Sequence, residues 1–287
     1  MNHCFFVSDL HGKLERYQKL FKLIEKEKPS AVFFGGDLFP SGLFALTSQN
    51  QAVNDFLNDV LIKGFMQLKE KLGNSYPRVF IILGNDDGRF EEDEIIKAAE
   101  KGIWDYIHNK RVRFGAYSVY GYSYIPPSPF QLKDWEKYDV SRYVDPGCIP
   151  PEEGSHSKEI KKDDIIYGTI QKDLETLIGK DDVSKAIMLF HSPPYKTKLD
   201  RAALDGKMFD HVPLDVHIGS IAVQRMIEKK QPFLTLHGHV HESASITGAW
   251  KDKIGKTNMF SAAHNGNELA LIRFELDNIE DTSRKLI

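Results

Sequence analysis

Three histidines, His237, His239 and His241, alternate with glycine and valine directly after the short apolar run 232–235. In an extended strand successive side chains point to opposite faces, so the three imidazoles are expected on one face. A single histidine is usually a surface or core residue, but packing gives no reason for three on one face, whereas metal binding does. The spacing therefore predicts a metal site.

Four further polar groups each follow an apolar run of the kind that forms a buried strand. The groups are Ser8-Asp9-Leu10-His11-Gly12, Gly35-Gly36-Asp37, Gly84-Asn85-Asp86-Asp87-Gly88 and His191-Ser192-Pro193-Pro194. Any one of them alone would be an ordinary turn. Strand, helix and strand in succession predict parallel strands whose carboxyl ends lie at one edge of a sheet. The repeated pattern therefore indicates a cluster of ligands at that edge.

Apolar periodicity predicts the elements between these groups. Helices are expected over 13–28, 51–72, 91–101, 165–177 and 218–230, and buried strands over 4–7, 31–34, 79–83 and 186–190. Hairpin-type strands are expected over 104–108, 112–114 and 117–121, and two closing strands over 257–261 and 269–276. This order of strands and helices indicates an α/β protein.

The segment 122–157 differs from the rest of the chain because it is rich in proline and aromatic residues. Its apolar residues follow neither the helical nor the strand periodicity. A long irregular segment inside a compact domain is usually a functional loop or a disordered one, and aromatic residues argue against disorder. We expect an insertion that caps the strand-end edge. Contact with substrate and simple packing are both open for it.

Length and composition limit the classes of protein to consider. At 287 residues, with 41% hydrophobic and 28% charged residues, we expect one domain over 1–287. The net charge of -3 favours neither a dedicated nucleic-acid binder nor a polybasic membrane-binding protein. The two cysteines are too few for a disulfide framework, and no stretch reads as a signal peptide or a membrane span. We therefore expect a cytoplasmic protein.

Taken together and in this order, the five groups resemble the calcineurin-like metallophosphoesterase superfamily. The resemblance extends from about residue 3 to 275. It implies a four-layer α/β/β/α metallophosphoesterase sandwich of two mixed sheets flanked by helices. It also implies hydrolysis of a phosphoester by in-line attack of a hydroxide that bridges two metal ions.

The resemblance implies a role for each residue of the groups. One metal would bind Asp9, His11 and His241, the other would bind Asn85, His191 and His239, and Asp37 would bridge the two. His237 would support the ligands without binding metal. Mixed carboxylate and imidazole ligands suit two divalent transition metal ions, with Mn favoured and Fe, Zn, Ni or Co open.

Position 86 departs from the pattern of the superfamily. Many members have histidine after the asparagine of the third group, and the resemblance assigns that histidine to the transition state or the leaving group. Asp86 stands there instead, and a carboxylate near two cations neither stabilises negative charge nor donates a proton readily. By resemblance, members without this histidine favour diesters, which predicts a phosphodiesterase. His211 or His217 could supply the group, although a surface location is equally open for each.

Other functions remain open beside the phosphodiesterase. A phosphomonoesterase or phosphoprotein phosphatase is one, but by resemblance the latter carries arginines beside the second and third groups, and here only Arg89 lies near. A non-catalytic interaction scaffold is another, although such proteins usually lose ligands. The expected partner is a small phosphorylated, nucleotide-like substrate, and the sequence does not predict an oligomeric state.

Overall fold

The computed structural model describes residues 3–41 and 55–287, in which two six-stranded sheets form the centre. The strands of the first sheet are β1 (His3–Val7), β2 (Ala31–Gly35), β3 (Arg78–Ile82), β4 (Asp105–Tyr106), β13 (Ala270–Glu275) and β14 (Asn278–Leu286). Those of the second are β5 (Lys110–Phe114), β6 (Tyr117–Tyr122), β7 (Ala186–Phe190), β10 (Leu234–His237), β11 (Lys251–Ile254) and β12 (Thr257–Ser261). A small hairpin, β8 (Met208–Phe209) and β9 (Val212–Pro213), stands apart from both.

Both sheets are mixed, with parallel strands at their centres. The first has the order β14-β13-β1-β2-β3-β4, in which β1 to β4 are parallel. The second has the order β11-β12-β10-β7-β6-β5, in which β12, β10, β7 and β6 are parallel. The central strands therefore end side by side, and the loops after them share one edge of each sheet.

Helices cover the outer faces of the sheets. Their bounds are α1 (Leu14–Glu27), α2 (Lys63–Leu72, preceded by a π-helical turn at Leu57–Ile62), α3 (Glu92–Glu100), α4 (Lys162–Tyr167), α5 (Ile170–Ile178), α6 (Ile221–Lys230) and α7 (Ser243–Thr247). None of those in residues 3–41 and 55–287 combines the length and the apolar character that crossing a membrane requires.

Side-chain alternation explains the layers. Along β1, Phe6 belongs to an apolar cluster shared by the two sheets, whereas Phe5 belongs to the cluster that includes the helices. Leu189 and Met188 divide in the same way on β7. A strand with both faces covered must be apolar throughout, as these runs are. The four-layer α/β/β/α fold is therefore confirmed.

Several element predictions are wrong in detail. The predicted helix 165–177 is two helices, because Gly168 is extended and Thr169 caps α5 by accepting a hydrogen bond from the Lys172 amide. The segment 104–108 contributes only β4, which pairs in parallel with β3 and is not part of a hairpin. The start of the predicted helix 51–72 lies outside the described residues. The expectation of one domain over 1–287 stays a prediction.

The predicted insertion begins after Tyr122, which belongs to β6, and its interior is packed. The side chains of Trp135 and Tyr138 are buried, whereas Tyr143 is 69% exposed. Lys133 and Glu136 form an ion pair of 2.5 Å between side chains that are both 0% exposed. Buried aromatic rings and a buried ion pair favour packing over substrate contact for most of this segment.

Replacing Lys133 tests whether the insertion folds with the rest of the protein. Lys133→Ala leaves the Glu136 carboxylate buried without its cation, and we expect the free energy of unfolding to fall by about 3–5 kcal/mol. Denaturant unfolding measures it. Lys158→Ala, which removes the exposed pair with Asp93, should leave stability nearly unchanged. Equal stability of the two variants would mean that the insertion unfolds separately.

Candidate metal centre

The loops after the central strands bring the predicted ligands together. Asp9 and His11 follow β1, Asp37 follows β2, Asn85 follows β3, His191 follows β7, and His239 and His241 follow β10. Two groups have ligand atoms that all lie within 4.8 Å of one another: Asp9, His11, Asp37 and His241, and Asp37, His191 and His239. Asp37 belongs to both groups.

His191 joins Asn85 to the second group. Its Nδ1 lies 2.7 Å from the Gly35 carbonyl oxygen, so Nδ1 carries a proton that it donates there. Its Nε2 lies 3.0 Å from Asn85 Oδ1 and 3.3 Å from Asp37 Oδ2. In a neutral ring, Nε2 would present a lone pair to two oxygen acceptors. These atoms require a cation between them, either a proton or a metal.

In the first group, too, the nitrogen and oxygen acceptors outnumber the protons that neutral imidazole rings can place between them. The Nε2 atoms of His11 and His241 lie 3.0 Å apart, and His241 Nε2 is 3.1 Å from Asp9 Oδ1. The other Asp9 oxygen, Oδ2, is buried and has no hydrogen-bond partner in the described part of the chain. A buried carboxylate oxygen without a donor is costly unless a cation binds it. The residues of both groups therefore fit divalent transition metals, for which carboxylate and imidazole are usual ligands.

The charges in the centre shift the pKa values of its histidines. Burial lowers the pKa of His191, but the Asp37 and Asp9 carboxylates outweigh it and raise the value to about 9. For His11, burial is likewise outweighed by the contact with Asp86 and by Asp37, and its pKa rises to about 9. Burial and the neighbouring His191 lower the pKa of His239 to about 3.

The backbone at the centre is left-handed at four of these residues. The φ angles are 57° at Asp9, 47° at His11, 52° at Asp37 and 74° at His239. This conformation is uncommon for residues other than glycine and costs about 1–3 kcal/mol each. It turns the chain sharply after β1, β2 and β10, the strands that these residues follow.

The expectation that one extended strand carries His237, His239 and His241 is wrong. β10 ends at His237, and the left-handed backbone at His239 stops the alternation. His237 lies buried in the strand, where Nδ1 donates to the Ser192 carbonyl at 3.0 Å and Nε2 accepts from the Thr235 hydroxyl at 2.7 Å. It therefore holds the backbone directly after His191, and its supporting role stays a prediction.

Glycine is required at two positions where the backbone passes close to ligand side chains. A Cβ at Gly84 would lie 2.6 Å from His191 Cε1, and one at Gly238 would lie 2.7 Å from Asp9 Oδ2. Both distances are well below van der Waals contact. Glycine at these positions therefore lets the backbone pass directly behind the ligand side chains.

Two residues hold the centre in roles that the sequence did not predict, although one of them, Asp87, belongs to the third predicted group. Arg16, 3% exposed, donates to the Asp9 carbonyl at 2.5 Å and to the Gly266 carbonyl at 2.6 Å. Asp87 accepts hydrogen bonds from the amides of Leu38, Phe39 and Gly84 at 2.8, 2.9 and 2.9 Å. Asp87 thereby fastens the loop of Asp37 to that of Asn85. A signal for Arg16 exists, since it shares the i, i+4, i+8 series of Leu20 and Ile24.

The remaining sequence candidates have other contacts. Arg89 donates to Glu92 at 3.0 Å and to the Tyr124 hydroxyl at 2.9 Å, and its guanidinium lies 4.8 Å from the Trp135 ring centroid. Arg89 therefore fixes the insertion. His217 pairs with the buried Asp200 at 2.8 Å, and His211 is exposed in the turn between β8 and β9.

Metal binding should release protons, because metals bind neutral imidazole. In protein stripped of metal, His11 and His191 have pKa values near 9 and carry protons at pH 7. Apparent metal affinity should therefore rise with pH up to about 9, by roughly tenfold per pH unit for each proton released. Calorimetry in buffers of different ionisation enthalpy counts the protons. His211→Gln should not change the count, and no release at pH 7 would contradict the assignment.

Comparison with known proteins identifies a family and a fold for this chain. A family model described as calcineurin-like phosphoesterase matches residues 4–243. No curated protein sequence matches the chain. TT1561 of Thermus thermophilus superposes with a TM-score of 0.56 at 15% identity, over 99% of this chain and 98% of that one. A dimetal phosphatase from Danio rerio superposes with a TM-score of 0.52 at 10% identity, over 99% and 96%.

Identities this low show a shared fold, whereas the family model covers most of the sequence, including all five groups of predicted ligands. The family depends on two metal ions, and the two groups that share Asp37 are the candidate sites for them. The protein therefore belongs to the calcineurin-like phosphoesterases.

Proposed function

We propose that this protein is a dinuclear metal-dependent phosphodiesterase that acts on a small, nucleotide-like phosphorylated molecule. The observation that carries the proposal is the sharing of Asp37 between two groups of ligands. Asp37 Oδ2 lies 3.3 Å from His191 Nε2 and 3.9 Å from His11 Nε2, so one carboxylate faces both groups. Two metal ions held this way would activate water and neutralise charge on the phosphoryl oxygens.

The proposed ligands divide between the groups. Asp9, His11 and His241 bind one ion, Asn85, His191 and His239 bind the other, and Asp37 bridges them. Several contacts support this division. The His239 ring belongs to the second group and its centroid lies 5.3 Å from that of the His191 ring, whereas its backbone amide donates to Asp9 Oδ1 at 2.9 Å. His237 keeps Ser192, and with it the adjacent His191, in position.

The preference for diesters rests on Asp86. Its carboxylate lies 3.3 Å from His11 Nδ1, at the border of the first group. A monoester is a dianion near neutral pH and a diester a monoanion, so an added negative charge at this border disfavours the monoester more. A carboxylate is also a poor proton donor to a leaving group. A diester with a stable leaving group tolerates both effects.

We also propose a native metal, a class of substrate and a cellular compartment for this protein. Manganese is our choice of native ion, because mixed carboxylate and imidazole ligands suit it, and Fe, Zn, Ni and Co share that chemistry. The net charge of -3 favours a small molecule over nucleic acid or a membrane surface. We place the reaction in the cytoplasm.

The rival functions have less support. Arg89, the arginine nearest the third group, is occupied by Glu92, Tyr124 and Trp135, which leaves it unsuited to bind a phosphoprotein. A non-catalytic scaffold would not need a buried Asp9 carboxylate oxygen that has no partner in residues 3–41 and 55–287. The Danio rerio neighbour is described as a dimetal phosphatase, so monoester hydrolysis is the comparison that an assay must include.

Hydrolysis of bis-p-nitrophenyl phosphate beside p-nitrophenyl phosphate tests the proposal. Metal-stripped protein should gain activity on adding Mn²⁺ and should cleave the diester faster than the monoester. Asp37→Asn removes charge from the shared ligand and should lower diester turnover by at least about 10³-fold. Asp281→Asn, on the exposed edge strand β14, should not change it. Normal turnover by Asp37→Asn would overturn the assignment of the centre.

Asp86→His tests the basis of the preference. The substitution removes a negative charge and adds a proton donor, so the ratio of monoester to diester kcat/KM should rise by about tenfold or more. The two p-nitrophenyl substrates measure this ratio in a single preparation. An unchanged ratio, with metal content intact, would show that residue 86 does not set the preference.

A further inference from the structure

Asp86 contacts three parts of the metal centre. Its Oδ2 lies 3.3 Å from His11 Nδ1, and its Oδ1 accepts a hydrogen bond of 2.8 Å from the Ser41 hydroxyl. Its backbone amide donates to Asp37 Oδ1 at 2.8 Å. The side chain is 32% exposed and could extend into solvent, but both of its oxygens are engaged within the centre. The arrangement therefore directs a carboxylate at one ring nitrogen of His11.

This contact decides which nitrogen of His11 can bind a metal. A ring lone pair 3.3 Å from Asp86 Oδ2 would be repelled by the carboxylate, so Asp86 favours the proton on His11 Nδ1. In the neutral ring Nε2 then holds the lone pair. Nε2 is the atom that lies 3.0 Å from His241 Nε2 and 3.9 Å from Asp37 Oδ2, within the first group. A carboxylate at the far nitrogen also makes an imidazole a better ligand.

We propose that Asp86 is a positioning residue that fixes the ring orientation and tautomer of His11 and so strengthens metal binding at the group of Asp9, His11, Asp37 and His241. This inference rests on the proposed dinuclear function, since it concerns one of its two sites. Asp86 does this without being a ligand, and within residues 3–41 and 55–287 it belongs to neither group of ligand atoms.

The two sites then differ in how their histidines are held. His191, in the second group, gives its Nδ1 proton to the neutral carbonyl of Gly35. His11 Nδ1 instead faces a carboxylate, 3.3 Å from Asp86 Oδ2, which attracts an N–H more strongly than a neutral carbonyl does. Asp86 should therefore raise affinity at the first site and leave the second site nearly unaffected.

Competition with a chromophoric chelator for Mn²⁺ and Zn²⁺ tests the inference on variants at Asp86. Asp86→Ala should lower the affinity for one of the two bound ions by about 10–100-fold and the affinity for the other by less than about threefold. Asp86→Asn keeps the size of the side chain and an oxygen that can accept a hydrogen bond from Nδ1. It should therefore lose less metal affinity than Asp86→Ala does. Ser41→Ala, which frees Asp86 Oδ1, should give a smaller loss at the same site. Asp281→Asn should bind both ions as the unaltered protein does.

The tautomer of His11 gives a second readout, which does not depend on how much metal the protein binds. In metal-free protein labelled with ¹⁵N-histidine at high pH, the His11 signals, assigned with His11→Gln, should show protonation at Nδ1. Asp86→Ala should shift the ring towards a mixture of tautomers. Unchanged affinities at both sites, or equal weakening of both, would overturn the inference. Coordination of the metal by Asp86 itself, seen in a crystal structure, would also overturn it.

Failure of this inference and failure of the proposed function give different results. An unaltered protein that binds fewer than two ions, or that cleaves no phosphoester, contradicts the proposed function. A protein that binds two ions and cleaves the diester, but whose affinities do not depend on Asp86, contradicts only the role of Asp86.

Discussion

The structure depends on one electrostatic constraint, which is the convergence of hydrogen-bond acceptors where the central strands end. His191 Nε2 lies 3.3 Å from Asp37 Oδ2 and 3.0 Å from Asn85 Oδ1, so that only a proton or a metal ion can join them, and Asp9 Oδ2 has no partner among the described residues. Such a cluster is unfavourable by itself. Left-handed backbone at the ligands, and the Arg16 and Asp87 contacts behind them, hold it in place. A fold that maintains this arrangement is organised to bind cations.

The sequence predicted the layers and the edge of the sheets that carries the site. Strands with both faces covered must be apolar throughout, so β1, β2, β3 and β7 stood out as short runs close to their observed bounds. The exposed edge strands β11 and β14 were not predicted, because they are rich in charged and polar residues and give no apolar signal. The mixed topology also could not be read from periodicity, which does not say which strands pair.

The sequence predicted which side chains come together at the strand ends, but not their geometry. Short-range spacing identified His239 and His241, yet it placed them on a strand with His237, because left-handed φ at His239 is set by tertiary contacts. The contact of Asp86 with His11 joins residues 75 positions apart along the chain, and no local pattern encodes it. The sequence showed only that Asp86 replaces a histidine. Its neighbour in space suggests what that replacement does.

Anomalous diffraction from crystals soaked in Mn²⁺ would locate the two proposed metal ions and the carboxylate that they share. We expect two manganese peaks about 3.5–4 Å apart, with the Asp37 carboxylate between them. One peak should lie beside Asp9, His11 and His241, and the other beside Asn85, His191 and His239. A single peak, or a pair that does not share Asp37, would contradict a dinuclear centre in this protein.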